Sequence, residues 1–361
     1  MRARVRGALS AGLIAHAPHF ALLGALLVAA LALLDETDER LTLRIGILIG
    51  YWATLLPFFL AAAAAVGFLR LRTLGRRGRP LLWTLRWLAP PRWPEILLLR
   101  LPLALGLTAS ISYLYFTFKV NIPRFAPFAW DDVFAAADRA LFLGHDPWTI
   151  SHALLPWARA TQLLDAIYLA WYLVLFAAIL AVGVLPLRHP LRLAFLLAIA
   201  LDWVIGGVVI ATLVPAAGPV YLERVSGDPT FRPMMDLLAA QGGQVPIMAL
   251  RIQEWLWTGY ATAGVDPAGI SAFPSLHVAI PATCACLAFV ADRMIGWILA
   301  AFTVAVLVGS VHLGWHYAID GFGGLALGLA CWWASRRLVA WWLRRTEPWM
   351  AGAIGHRLAA K

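Results

Sequence analysis

The stretch LAFLLAIALDWVIGGVVIATLV, residues 193–214, contains a single charged side chain, that of Asp202. A run of about 20 apolar residues is long enough for a helix to cross the hydrocarbon core of a bilayer. Every backbone N–H and C=O group must be hydrogen-bonded within the segment there, so a run of this kind forms a helix. The stretch therefore predicts a transmembrane helix and an all-α membrane fold.

The rest of the chain has the same character. Of its 361 residues, 62% are hydrophobic and only 13% are charged, which is too little charge to cover the surface of a soluble domain. We predict an all-α polytopic bundle of about eight transmembrane helices, with a six-helix catalytic core and outer interfacial helices. The predicted spans are 18–34, 45–69, 96–118, 163–185, 193–214, 276–290, 294–311 and 317–333.

The distribution of positive charge predicts the orientation. With the N-terminus in the cytoplasm, 19 of the 29 Lys and Arg residues fall on the inner side, nine on the outer side, and Arg100 within a span. Inner loops are enriched in these residues, so both termini are expected in the cytoplasm. The Gly-, Ala- and Arg-rich composition favours a bacterial inner membrane. Because the Arg residues stand between apolar runs, the net charge of +10 does not indicate nucleic-acid binding.

Three regions are predicted along the chain. Residues 1–95 hold two peripheral transmembrane helices and a basic cytoplasmic loop, residues 96–335 the six-helix core, and residues 336–361 a basic, Trp-rich cytoplasmic tail. The outer loops at 119–162 and 215–274 are long enough to shape a substrate site. In the first of them Phe134, Ala137 and Leu141 follow Asp131 at helical spacing, which predicts an amphipathic helix on the membrane surface.

Two polar motifs stand where predicted spans begin on the outer side. The segment SAFPSLHV, residues 271–278, carries Pro274, Ser275 and His277, and SVHLGWHYAIDG, residues 310–321, carries His316 and Asp320. The charge count does not use these residues, yet the topology that it predicts brings all of them to one depth on one face. Ionisable side chains beside apolar spans cost free energy, so their presence there indicates a functional role. The two motifs therefore predict an active site.

The residue types suit phosphoryl transfer. His316 and Asp320 are four residues apart, so a helix would stack them and the carboxylate would fix the imidazole tautomer, leaving the other ring nitrogen free to attack phosphorus. Pro274 and Ser275 suit the start of a helix, whose free N–H groups can hold phosphate oxygens. His277 can protonate the departing oxygen. A His-x-x-x-acid spacing alone arises by chance about half the time in a chain of this composition, so a purely structural role is the alternative.

At these residues the chain resembles the type-2 phosphatidic acid phosphatase superfamily. In that superfamily a Pro-Ser-x-His motif, matched by His277, supplies the general acid. A later His-x-x-x-Asp supplies a nucleophile that becomes phosphohistidine, matched by His316, and its orienting acid, matched by Asp320. Neither a metal nor another cofactor is expected, and no Cys/His cluster has metal-ligand spacing.

Two positions depart from the phosphatase pattern. Ser310 stands where that branch has an Arg six residues before the nucleophile, and Val225 stands where it has a Lys seven residues before Arg232. Other groups must then neutralise the charge of the phosphate. For each candidate cation, a solvated loop residue that binds no ligand is an equally good interpretation. The predicted phosphate-binding residues are Lys119, Arg124, Arg224, Arg232 and Ser275.

A site with fewer cations suits a phosphodiester, which has one negative charge, better than a monoester. Lys119 followed by Ile122-Pro123, and the stretch PAAGP at 215–219, look similar to the inositol phosphorylceramide synthase branch. That likeness implies transfer of a phospho-alcohol headgroup from a phospholipid to another lipid hydroxyl. One alternative is a lipid phosphate or polyprenyl pyrophosphate phosphatase with water as acceptor. A proton-coupled transporter is disfavoured, because the polar residues cluster at one face.

Overall fold

A computed structural model describes residues 2–33, 95–262 and 269–355. The predicted span at 45–69, the basic loop at 70–92 and residues 356–361 of the predicted tail lie outside these ranges. Regular structure within them is helical throughout, which confirms the all-α prediction.

The helices are numbered here in chain order. They are α1 (Arg2–Ala15), α2 (Ala17–Leu33), α3 (Leu101–Phe125), α4 (Asp131–Leu141), α5 (Pro147–Leu154), α6 (Ala158–Leu169), α7 (Trp171–Gly183), α8 (Pro190–Leu201), α9 (Pro219–Ser226), α10 (Arg232–Gly242), α11 (Met248–Ala261), α12 (Leu276–Ala291), α13 (Arg293–His312) and α14 (Ala318–Gly355). A π-helical turn, Ile96–Arg100, leads into α3. A second π-helical stretch, Asp202–Ile210, continues α8 and ends in the turn Ala211–Leu213.

Several segments are long and apolar enough to cross a membrane. Within the described ranges there are four, or five if the bent pair α1 and α2, whose axes meet at 58°, counts as one span. The four are Leu101–Phe125, Ala158–Gly183, Pro190–Leu213 and Arg293–His312. They agree with four of the predicted spans. Helix α12 is apolar but has only 16 residues, and the count of eight spans stays a prediction.

The helix boundaries follow from local chemistry. Asp292 has an extended backbone between α12 and α13, and its carboxylate accepts hydrogen bonds from the N–H groups of Met294 and Ile295 at 2.8 and 3.1 Å. An acidic residue in this position satisfies N–H groups that have no partner within the helix. Pro190 opens α8, where the missing N–H of proline is harmless. Each boundary turns the chain back so that neighbouring helices pack side by side.

The closest helix packing in the core is between α12 and α14. A Cβ atom at Gly324 or Gly328 would overlap the backbone carbonyl oxygens of Ser275 and Ala279, so only glycine permits this approach. The backbone N–H of Ser275 donates to the carbonyl oxygen of Asp320 at 3.0 Å. The two predicted motifs are therefore held together at the starts of these two helices.

Helix α4 forms where the amphipathic helix was predicted, but with a different buried face. Of the three expected apolar positions, Phe134 is buried while Leu141 is 56% exposed. The side chains of Asp131 and Asp138 are buried instead. Backbone N–H groups of other segments hold these two carboxylates inward.

Candidate active site

His277 lies in the first turn of α12, where two aromatic rings contact it. The ring of Tyr168 stacks on the imidazole at a centroid distance of 4.8 Å, and the ring of Trp171 meets it edge-on at 5.1 Å. Both aromatic residues come from the helical segment Ala158–Gly183. The packing fixes the orientation of the imidazole beside the second motif.

His316 and Asp320 meet as predicted, but by a different route. Nδ1 of His316 lies 3.3 Å from Oδ2 of Asp320, and both side chains are buried. Helix α14 begins only at Ala318, so His316 precedes the helix and the two residues are not stacked on its face. The carboxylate turns back toward the helix start instead, where Oδ2 also accepts the backbone N–H of Tyr317 at 3.0 Å.

The loop before α14 reverses direction tightly. Gly314 has a φ of +73°, in the left-handed region that glycine tolerates best. The backbone N–H groups of Trp315 and His316 both donate to the carbonyl oxygen of Ser310, at 2.9 and 3.2 Å. The reversal brings the ring of His316 to a centroid distance of 5.9 Å from that of His277. At this separation one phosphorus-centred group can contact both imidazoles.

Lys119 and Ser275 are near His277. Lys119 lies in the second half of α3 with its backbone and Cγ against Gly269, close enough to His277 for their charges to interact. Ser275 precedes α12 as its N-cap residue, yet its side chain makes no capping hydrogen bond. Its Oγ is fully buried without a partner among the described residues. The prediction that the Ser275 hydroxyl caps α12 is therefore wrong, and that hydroxyl is available to a ligand.

The three arginines predicted as phosphate ligands lie in different surroundings. Arg124 is exposed near the end of α3. Arg224 forms an ion pair with Glu254 at 2.7 Å, and Arg232 forms one with Glu223. A carboxylate partner competes with phosphate for a guanidinium group, so Lys119 has the strongest support among the four predicted cations.

Asp138 is a site residue that the sequence reasoning missed. From α4 its two carboxylate oxygens accept the backbone N–H groups of Ala318 and Ile319 at 2.7 and 2.8 Å. It therefore caps α14 one turn from Asp320. Burial raises the pKa of Asp138 to about 6, while the two N–H groups oppose the rise.

Asp131, two turns earlier on the same face of α4, was also assigned no role in the site. Its carboxylate accepts the backbone N–H groups of Ala217 and Gly218 at 2.9 and 2.8 Å, and the hydroxyl of Tyr317 at 3.1 Å. Burial raises the pKa of Asp131. Tyr317 follows His316 directly, so this carboxylate steadies the same turn.

Two other buried ionisable residues have structural roles. Asp165 accepts the first two backbone N–H groups of α11. His312 is hydrogen-bonded through both ring nitrogens, to Thr161 at 2.8 Å and to Ser151 at 3.1 Å, and its ring stacks on His152 at 3.6 Å. With both nitrogens engaged, His312 is a packing residue beside the site.

Comparison with known proteins gives one match. A family model described as the PAP2 superfamily matches residues 132–334, which is more than half of the chain and includes both motifs. No curated protein and no solved structure matches the chain. The apolar helices fit a membrane lipid phosphatase or phosphotransferase. The chain belongs to the PAP2 superfamily, the type-2 phosphatidic acid phosphatases, and is an enzyme of the phosphatase or phosphotransferase class.

Proposed function

We propose that this protein is an integral membrane lipid phosphotransferase. It moves a phospho-alcohol headgroup from a phospholipid to the hydroxyl of a second lipid, through a phosphohistidine formed at the outer face of the membrane. The observation that carries the proposal is the meeting of two distant motifs, with the His277 and His316 rings 5.9 Å apart and Asp320 on Nδ1 of His316.

In the first step His316 is the nucleophile. Asp320 engages Nδ1, which places the proton there and leaves the lone pair of Nε2 free to attack phosphorus. A bond from Nε2 to phosphorus forms while the bond from phosphorus to the departing lipid oxygen breaks. His277 donates a proton to that oxygen, so the lipid leaves as a neutral alcohol. Asp320 stabilises the positive charge that develops on the His316 ring.

In the second step the headgroup moves to the acceptor. His277, now neutral, removes the proton from the hydroxyl of the second lipid, and the resulting oxygen attacks phosphorus. The bond to Nε2 breaks and His316 returns to its starting state. The acceptor gains the phospho-alcohol headgroup, and His277 carries the proton that begins the next cycle.

The start of α12 and Lys119 supply a binding site for the phosphoryl oxygens. The N–H groups in the first turn of a helix have no intrahelical partner and attract anions. In α12 the N–H groups of Val278 and Ala279 turn back to the carbonyl of Ser275, at 3.2 and 3.0 Å. The earlier N–H groups of Leu276 and His277 remain for the ligand, together with the Ser275 hydroxyl.

Transfer is favoured over hydrolysis by the charge of the site. Ser310 and Val225 replace two cations of the phosphatase pattern, and Arg224 and Arg232 are engaged by carboxylates. A site with little positive charge suits a singly charged phosphodiester. The likeness to the inositol phosphorylceramide synthase branch points the same way. The His277, His316 and Asp320 geometry serves a lipid phosphate phosphatase equally well, so water is the alternative acceptor.

Lipid mass spectrometry tests the proposal. Membranes that contain the active protein are compared with membranes that contain His316→Ala, and with His145→Ala as a control, because His145 is an exposed outer-loop histidine. We expect one new lipid, equal to an acceptor plus a phospho-alcohol, in the first and third samples only. Release of inorganic phosphate without an alcohol acceptor would select the phosphatase instead. The new lipid in the His316→Ala sample would reject the covalent mechanism.

A further inference from the structure

Three buried hydrogen-bond donors near the two histidines have no partner. They are the hydroxyls of Tyr168 and Ser275 and the indole N–H of Trp315, each unpaired among the residues that the structure describes. Roughly 90% or more of buried polar groups in proteins are paired. A buried polar group that is left unpaired destabilises a protein. Three unpaired donors in one region therefore require an explanation.

The three donors belong to residues around His277 and His316. The Tyr168 ring stacks on the His277 imidazole at 4.8 Å and on the Trp315 ring at 6.0 Å. Trp315 directly precedes His316, and Ser275 lies two residues before His277. All three donors thus belong to residues that pack on one of the two histidines or lie within two positions of one in the sequence.

Two other buried phenols, those of Tyr221 and Tyr317, are paired, unlike that of Tyr168. The hydroxyl of Tyr221 donates to the carbonyl oxygen of Gln253 at 3.0 Å, and that of Tyr317 donates to Asp131 at 3.1 Å. Tyr168 is equally buried, at 2% exposure. Its hydroxyl therefore has no structural role comparable with those of its neighbours.

Trp315 also stands beside the position where the phosphatase pattern has an Arg. That position is Ser310, whose fully buried hydroxyl donates to the carbonyl of Leu307 at 2.7 Å and so is not available to a ligand. The carbonyl of Ser310 in turn accepts the backbone N–H of Trp315 at 2.9 Å. The backbone of Trp315 thus lies next to the position that the phosphatase pattern gives to Arg, and its side chain is a neutral donor.

On the basis of the proposed function, we infer that Tyr168 and Trp315 bind the substrate by donating hydrogen bonds to the non-bridging oxygens of a phosphodiester lipid. Neutral donors satisfy oxygen lone pairs without adding charge. The single positive charge of Lys119, with these neutral donors beside it, balances the one negative charge of a phosphodiester. A phosphomonoester, with about two charges near neutral pH, would leave one charge poorly compensated in a buried site. Tyr168 and Trp315 therefore make the site selective for diesters.

The test uses variants that remove a donor and keep the ring. Tyr168→Phe deletes one oxygen atom, and Trp315→Phe removes the indole N–H. Tyr221→Phe is the matched control, because it deletes a buried hydroxyl that is paired with a backbone carbonyl. The full chain is assayed in vesicles for kcat and KM with a phosphodiester lipid and with a phosphomonoester lipid of the same acyl chains. A second measurement follows the rise in melting temperature that orthovanadate, a phosphoryl mimic, produces without turnover.

We expect Tyr168→Phe and Trp315→Phe each to lower kcat/KM for the diester roughly 10- to 100-fold, as for a lost hydrogen bond to a charged group. They should also reduce the stabilisation by orthovanadate, whereas Tyr221→Phe should stay within about threefold of the wild type. The wild type should prefer the diester to the monoester, and the two variants should narrow that preference.

Three outcomes would overturn the inference. One is kcat/KM within twofold of the wild type in both variants. The second is an unchanged response to orthovanadate. The third is a Tyr168→Phe protein that fails to fold, since the hydroxyl would then hold the fold rather than the substrate. Each of these leaves the proposed function intact if activity still depends on His316. Activity that persists in His316→Ala would instead reject the proposed function.

Discussion

Buried polar groups lie near both ends of helix α3. Near its start the guanidinium group of Arg192 has a full set of hydrogen-bond partners, whereas near its end several polar atoms have none among the described residues. Near its start, Arg192 of α8 is fully buried, and every nitrogen of its guanidinium group has an acceptor. The carbonyl oxygens of Val182, Gly183 and Arg100 lie 3.3, 2.7 and 2.6 Å from it, and the His16 ring nitrogen 3.4 Å. This arrangement joins the end of α7 to the starts of α3 and α8.

Near the other end of α3, beside Lys119, several buried polar atoms lack a partner. The hydroxyls of Tyr168 and Ser275 and one oxygen of Asp320 are unpaired within the described part of the chain. Burial is similar at the two ends, so burial does not distinguish them. The guanidinium group of Arg192 has complete hydrogen bonding, as expected of a structural residue, whereas the unpaired atoms near His277 and His316 support the proposed binding site.

The largest expected effect is the loss of turnover when either histidine is replaced. His316→Ala and His277→Ala should each lower kcat by roughly 10⁴-fold or more, because the nucleophile or the general acid is removed. Neither change disturbs an apolar span, so membrane insertion and melting temperature should be close to those of the wild type. His145→Ala, in an exposed loop, is the control. Turnover of either Ala variant within tenfold of that control would contradict the site.

Asp320→Asn tests the orienting role of the carboxylate. The amide keeps the shape of the side chain but can present its NH₂ group to Nδ1 of His316, which reverses the tautomer. We expect kcat to fall about 10²- to 10⁴-fold with little change in KM. Steady-state kinetics with the phosphodiester lipid measure the effect. An Asn variant with normal kcat would show that Asp320 does not set the tautomer.

Arg192→Met tests whether Arg192 stabilises the fold near the start of α3. The change leaves three buried carbonyl oxygens without their donor, so we expect the free energy of unfolding to fall by about 3 kcal/mol. Thermal unfolding in detergent measures the loss, and Arg293→Met, which removes an exposed guanidinium, is the control. The kcat of the folded fraction should be unchanged. A stable Arg192→Met protein with a lowered kcat would show that Arg192 serves catalysis rather than stability.

Asp138→Asn tests whether α4 positions the second motif. One of the two hydrogen bonds to the start of α14 is lost, so the turn that carries His316 and Asp320 should be held less firmly. We expect kcat to fall about tenfold with little change in KM, as for a positioning residue near the chemistry. Asp132→Asn, an exposed neighbour on the same helix, should have no effect. Equal kinetics in the two variants would remove Asp138 from the site.

The smallest expected effect is a pH dependence of stability that comes from Asp138. Burial raises its pKa from 3.8 to about 6, so between about pH 4 and 6 the folded protein binds this proton more tightly than the unfolded chain. The contribution of Asp138 to the free energy of unfolding therefore falls as pH rises through that window and is constant above it. The melting temperature of the wild type minus that of Asp138→Asn should decrease from pH 4 to 6. A difference that is flat over this range would contradict the raised pKa.

Much of the fold followed from local patterns in the sequence. Apolar runs located the helices Leu101–Phe125, Pro190–Leu213 and Arg293–His312, because each run must bury itself whatever the rest of the chain does. The meeting of His277 with His316 also followed, since charge placement gave both motifs the same predicted depth. The residues that hold or line the site did not follow. Asp131 and Asp138 read as the polar face of a surface helix, and the N–H groups that draw them inward belong to segments far along the chain.

Tyr168 shows the same limit. In the sequence it is one aromatic residue among many in an apolar run, and nothing local distinguishes it from a packing residue. Only the stacking on His277 and the unpaired hydroxyl identify it. The start of α14 at Ala318 likewise depends on a cap supplied by α4, so the sequence placed His316 on a helix that it precedes.

The central claim is that His316 carries the phosphoryl group during turnover. The most direct test is to denature the full chain in base during turnover with a phospholipid radiolabelled at phosphorus, and to map the labelled peptide by mass spectrometry. We predict an acid-labile, base-stable label on His316, absent from His316→Ala. Turnover at the wild-type rate with the label on another residue, or with no protein-bound label at any time, would contradict the account.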